Sequence, residues 1–88
     1  MTMTETAETR LKRMGMRSWR RGTKEMDMIL GPFADDRLAG LSATELDLYD
    51  ELLLENDQDL YQWVSGQVSP PDRFAGLIAL IRDHKIAG

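Results

Sequence analysis

The densest chemistry in this chain sits in eight residues, Arg20-Arg21-Gly22-Thr23-Lys24-Glu25-Met26-Asp27. A guanidinium is a planar fork that grips carboxylates bidentately, and a carboxylate accepts from backbone N–H groups or from arginine. Glycine, having no Cβ, lets another backbone come close. Such a set suits recognition rather than proton or electron transfer. The structural reading is plainer: Gly22 ends a helix, and Glu25 is a first-turn acid paired with an arginine. Which of the two applies depends on what the rest of the chain offers.

It offers little for catalysis. His84 is the only histidine and stands beside Asp83 and Lys85 near the end of the chain, where a last-turn cation is the expected role. There is no cysteine, so disulfides, thiolate metal sites and a cysteine nucleophile are excluded. Ser42 and Ser69 read as helix caps, and Ser18 and Ser65 have no base nearby in sequence. The acids Asp47, Asp50, Glu51 and Glu55 read as a solvated face opposite leucines rather than a tuned carboxylate pair. Trp63, at helical spacing with Leu60 and Val64, is expected in the core, and Tyr61 partly exposed. No glycine-rich phosphate loop is present, and neither catalytic nor metal-binding residues are assigned. The chain is expected not to be an enzyme.

The elements that must position the cluster are all helical. Ala7, Leu11, Met14 and Ser18 form the stripe of a first helix over residues 5–20, capped by Thr4 or Thr6. Gly22 is expected to end it in a left-handed C′ conformation. A second helix starts near Thr23 and buries Met26, Ile29, Leu30 and Phe33, with Pro32 kinking it or finishing it soon after and Asp35-Asp36-Arg37 either extending it or beginning the loop. Ser42 and Glu45 make a capping box for the third helix, in which Leu46, Tyr49, Leu52 and Leu53 face inward and which breaks at Asn56-Asp57. Asp57 or Asp59 opens the fourth, closed by Gly66. Ser69 caps the fifth, with Pro70 and Asp72 in its first turn and Phe74, Leu77, Ile78 and Ile81 in the core. The predicted fold is all-α, a single compact bundle of about five short helices over residues 1–88, with residues 1–5 flexible.

Charge is unevenly placed. Residues 1–25 carry seven bases and three acids, the remainder four bases and twelve acids, and the whole sums to −4. A basic end on an acidic body suits docking to an acidic partner. It also supports an alternative, a small nucleic-acid-binding or regulatory helical module using the basic first helix; the acidic body would repel a duplex, so nucleic acid is disfavoured. No apolar run reaches the ~20 residues of a membrane span. Residues 1–10 lack the character of a secretory or transit peptide, so a cytoplasmic protein without membrane contact, monomeric when free, is expected.

Arg-Arg-Gly-x-x-Glu-x-Asp over Arg20 to Asp27, followed by Pro32-Phe33, resembles the small assembly factors that promote covalent flavinylation of succinate dehydrogenase. The likeness continues through Leu41-Ser42 and through Asp59-Leu60-Tyr61-Gln62-Trp63, covering about residues 10–83. The resemblance implies a helper that binds the flavoprotein subunit of succinate dehydrogenase, or of fumarate reductase, and aligns its histidine with FAD while the partner does the chemistry. It implies no stably bound cofactor. Matched to the motif, Arg21, Gly22 and Glu25 are the first candidates for partner contact, with Arg20 and Asp27 second. Arg17, one helical turn before Arg21, is added from spacing alone. On this reading Gly22→Arg should keep the fold and abolish flavinylation. Trp19 departs from the family pattern, as either an exposed contact or a residue packed on the bundle.

Overall fold

In the computed structural model, residues 5–87 are described: α1 (Ala7–Ser18), α2 (Lys24–Arg37), a 3-10 turn (Leu38–Gly40), α3 (Ala43–Leu52), α4 (Asp57–Ser65) and α5 (Asp72–Ala87). The expectation of flexibility at residues 1–4, and Thr4 as a cap, lie outside the described residues. Glu5, expected to be flexible, is held by Arg13 at 2.8 Å. No strand occurs among the described residues. Helix α5 packs against α2, α3 and α4, and α1 lies along α2. The expected stripes meet in one core built on Met14, Met26, Leu30, Phe33, Tyr49, Leu52, Leu60, Phe74, Ile78 and Ile81, all essentially inaccessible to solvent. Leu11 and Leu46, expected on inward faces, are only partly buried against it, and Ala7, expected on the α1 stripe, is exposed. Each CH₂ removed from water there contributes roughly 0.8 kcal/mol, so the apolar stripes carry the stability of a chain this small.

Helix starts follow the chemistry of their caps. Thr6, Thr23, Ser42 and Asn56 each accept from the backbone N–H three residues on, and Ser42 with Glu45 completes the capping box. Asp57 opens α4, as expected, with Asn56 as its cap. Helix α5 starts at Asp72, three residues beyond Ser69. The cause is the proline pair: a residue before proline is pushed out of the helical region, so Pro70 ahead of Pro71 cannot occupy a first turn.

Helix ends diverge more. Pro32 does not finish α2, which runs five residues further to Arg37; the proline removes one donor, and the turns beyond it are held by the buried Phe33, Ala34 and the following Leu38. Gly22 is not a left-handed cap. The one glycine with positive φ among the described residues is Gly66, at 84°, closing α4. Helix α1 stops at Ser18, earlier than expected: Trp19 and Arg20 N–H still bond back to α1 carbonyls, but Arg21 N–H goes to Asp27 Oδ1 and Gly22 N–H to Asp57 Oδ2.

Candidate functional site

The segment Arg20–Thr23 crosses from α1 to α2 past the junction of α3 and α4, and Arg21 fills that junction. Its Nε donates to Asp57 Oδ1 at 2.7 Å, Nη1 to the Leu53 carbonyl at 2.7 Å and Nη2 to the Glu55 carbonyl at 2.6 Å. The guanidinium thus binds the carbonyls of the α3 cap residue Leu53 and of Glu55 in the α3–α4 connection, and neutralises an acid in the first turn of α4, where a helix dipole favours negative charge. The side chains of Arg21 and Asp57 are only 10% and 14% exposed. Asp57 also accepts from Gly22 N–H, so it grips the arginine by its side chain and the glycine by its backbone.

That grip explains the glycine. A Cβ at position 22 would lie 2.7 Å from Asp57 Oδ2, inside any tolerable contact. Gly22 is required for close approach, as the sequence suggested, but the group that approaches is Asp57 of the same chain. Gly22→Arg is therefore not a fold-neutral change: any side chain there displaces the carboxylate that anchors Arg21.

Six residues were singled out for contact, and the structure sorts them by direction. Arg21 and Asp27 are half-buried and bound to their own chain. Gly22 is exposed along its backbone, and the side chains of Arg17, Arg20 and Glu25 are exposed. Arg17, Arg20 and Arg21 line one groove of about 350 Å³ together with Arg13 and Met16. Glu25 lies in another, of about 460 Å³, with Thr23, Asp57, Gln58, Tyr61, Gln62 and Gln67. The Arg21–Asp57 pair divides a cationic groove from one bearing an exposed carboxylate.

Other polar residues of α1 are already engaged. Arg13 donates to Glu5 and to both oxygens of Asp50, at 2.9 and 2.8 Å, and Arg10 reaches Asp47 at 2.7 Å. The Arg13 hydrogen bond holds the Asp50 and Glu5 carboxyls below their ordinary range, and the guanidinium is held above its own. The α3 acids expected as a solvated face are thus partly an ion-pair seam between α1 and α3. His84, expected as a last-turn cation, also pairs its Nε2 with Asp36 Oδ2 at 2.8 Å, edge-on to Phe33. Trp19 packs on the bundle: its indole lies across Gly31 and its Nε1 donates to Asp35 at 3.2 Å, with 38% of the residue still exposed.

Asp57 and Gly31 escaped the sequence reading. Asp57 lies 36 residues from Arg21, and an acid opening a helix already has a local explanation, so no spacing marked it. Gly31 gave a signal of its own, a glycine on the buried side of a helix, which usually means that something large lies against it.

A family profile described as "Flavinator of succinate dehydrogenase" matches residues 12–85, nearly the whole of this helical unit. The chain belongs to this family. The mitochondrial succinate dehydrogenase assembly factor 2 of Meyerozyma guilliermondii is 44% identical over 73 residues, covering 80% of this chain and 54% of that protein. The mitochondrial succinate dehydrogenase assembly factor 2-B of Drosophila mojavensis is 36% identical over 83 residues, covering 91% of this chain and 53% of that protein. An FAD assembly factor of Legionella pneumophila is 33% identical over 64 residues, covering 73% of this chain and 81% of that protein. The chain spans about half the length of these two eukaryotic relatives, and most of the bacterial one.

Proposed function

We propose that the chain is an assembly factor that binds the flavoprotein subunit of succinate dehydrogenase, or of fumarate reductase, and promotes covalent attachment of FAD to it. Membership of the flavinator family supports the partner. The observation that carries the reading is the clamped Arg20–Asp27 corner, which turns exposed arginines to one side and an exposed carboxylate to the other. The helper supplies no reacting group. It aligns the partner's histidine with its flavin, and alignment alone can be worth about 7–11 kcal/mol of a barrier. FAD stays with the partner and is not bound stably by this chain, which acts as a monomer. Its place of work is that of its partner, the cytoplasm on the sequence reading, whereas the fungal and fly relatives are named mitochondrial.

Within this reading Arg17, Arg20 and Glu25 touch the partner, with the Gly22 backbone between them, while Arg21 and Asp27 hold the corner in shape. The experiment incubates the purified flavoprotein subunit with FAD, with and without this protein, and reads covalent flavin as fluorescence on a denaturing gel. Wild type should accelerate labelling, and the Arg17→Ala/Arg20→Ala double variant should lose most of that gain while keeping its helical circular dichroism. No acceleration by wild type would sink the proposal. The alternative of a nucleic-acid or regulatory module on α1 finds no support, since carboxylates already neutralise Arg10 and Arg13.

A further inference from the structure

The groove on the Glu25 side has a second wall that the motif does not account for. Thr23 and Glu25 come from the start of α2, while Gln58, Tyr61 and Gln62 come from α4. Its two acids are not equivalent. Asp57 commits both oxygens to Arg21 and Gly22. The Glu25 carboxylate is exposed and makes no ion pair with any described residue. No lysine or arginine lines the groove. Tyr61 presents its ring there, 38% exposed, on a helix whose other large side chains, Leu60, Trp63 and Val64, face the core. The glutamine amides can each donate and accept, as an extended backbone requires of its neighbours.

We propose that this groove takes a lysine or arginine side chain carried on an extended segment of the flavoprotein subunit. Glu25 supplies the countercharge, and the Tyr61 face supplies a cation–π surface. The amides of Gln62 and Gln67 meet the backbone of the segment. The inference rests on the proposed function for the identity of the partner, and it extends the interface from the motif to α4. It also gives the two grooves opposite preferences: a basic side chain of the partner enters here, and acidic ones face Arg17 and Arg20 across the Arg21–Asp57 divide.

Gln58 provides the test, because it is exposed at the start of α4 and contributes nothing to the core. Gln58→Lys and Gln58→Glu are similar in size and opposite in charge. Each is titrated against the purified flavoprotein subunit lacking covalent flavin, at low and at moderate salt, with folding checked by circular dichroism. Gln58→Lys should weaken binding at least tenfold, Gln58→Glu should bind as tightly as wild type or tighter, and the gap should narrow as salt is added. Equal weakening by both variants, no effect of either, or the reverse order overturns a basic occupant while leaving the assembly-factor reading in place. Failure of wild type itself to bind the subunit overturns that reading and, with it, the occupant proposed here.

Discussion

Truncating Arg21 to alanine separates a residue that holds the corner from one that only touches a partner. The change removes three hydrogen bonds of 2.6–2.7 Å from a side chain that is 10% exposed. Bonds to a charged group contribute about 1.5–3 kcal/mol each, but these three share one guanidinium and do not add independently. Removing one partner of a buried ion pair costs about 3–5 kcal/mol. Asp57 is 14% exposed and keeps its bond from Gly22, so water and the backbone recover part of that loss. The lower end, about 3 kcal/mol, is the expected cost. A domain of this length has roughly 4–13 kcal/mol of stability in total, so the loss is a large share of it. At about 4–8 °C per kcal/mol, Tm should fall by roughly 12–24 °C. Urea unfolding followed by helical circular dichroism measures this directly. Arg21→Lys, which keeps the charge and loses the fork, should fall between wild type and Arg21→Ala. Glu25→Gln, on an exposed side chain, should stay within about 0.5 kcal/mol of wild type. A loss below about 1 kcal/mol in Arg21→Ala would mean that the guanidinium is not anchoring the α3–α4 junction, and the division between inward and outward motif residues would fail with it.

Tyr49 and Gly31 give two further predictions. The buried Ser18 hydroxyl donates to the Met14 carbonyl at 2.8 Å, so the Tyr49 hydroxyl 2.6 Å away donates to Ser18, and Tyr49→Phe should cost about 1 kcal/mol at neutral pH. Burial pushes the Tyr49 phenol up to about 12, with the Ser18 hydroxyl and the Arg21 charge pulling the other way. A raised value means stability that is fully present below pH ~10 and lost as pH climbs through about 12, so wild type should lose on the order of 3 kcal/mol more than Tyr49→Phe over that window. Parallel alkaline limbs for the two proteins would acquit the phenol. Gly31→Ala puts a Cβ into the Trp19 ring at Cδ2, which forces the indole off α2 and away from Asp35. The expected cost is about 1–3 kcal/mol, with a red shift of Trp19 emission read in a Trp63→Phe background; unchanged emission would show that the ring does not rest on Gly31.

The legible parts of this fold are those decided within one turn of helix. The stripe of α2, the Ser42–Glu45 box, the Gly66 stop and the inward Trp63 were readable because a side chain and its partner lie three or four residues apart. What was lost are the decisions made at long range. Just past α1, carboxylates from α2 and α4 claim the Arg21 and Gly22 donors, and no local pattern announces such a claim. The start of α5 was open to a closer reading, since the second proline of Pro70-Pro71 forbids the first from being helical. The seam of Arg10 and Arg13 with Asp47 and Asp50 was visible only as opposite charge on two helices, and charge composition alone does not say which faces meet.

The same limit governs the motif itself. Arg21 and Glu25 stand four residues apart, a spacing that would place them on one face of a continuous helix. They lie instead on opposite sides of a helix start, with Thr23 capping α2 between them, and the cap sends the arginine inward and the glutamate out. Gly22 belongs to both sides. Its bare backbone lets Asp57 close on the Gly22 N–H while holding Arg21, and the same bareness leaves the corner open from outside. Loss of flavinylation on replacing Gly22 would therefore not by itself assign the glycine to the interface. The assignment follows only if Arg21→Ala and Glu25→Gln diverge, the first losing stability and binding together, the second losing binding alone.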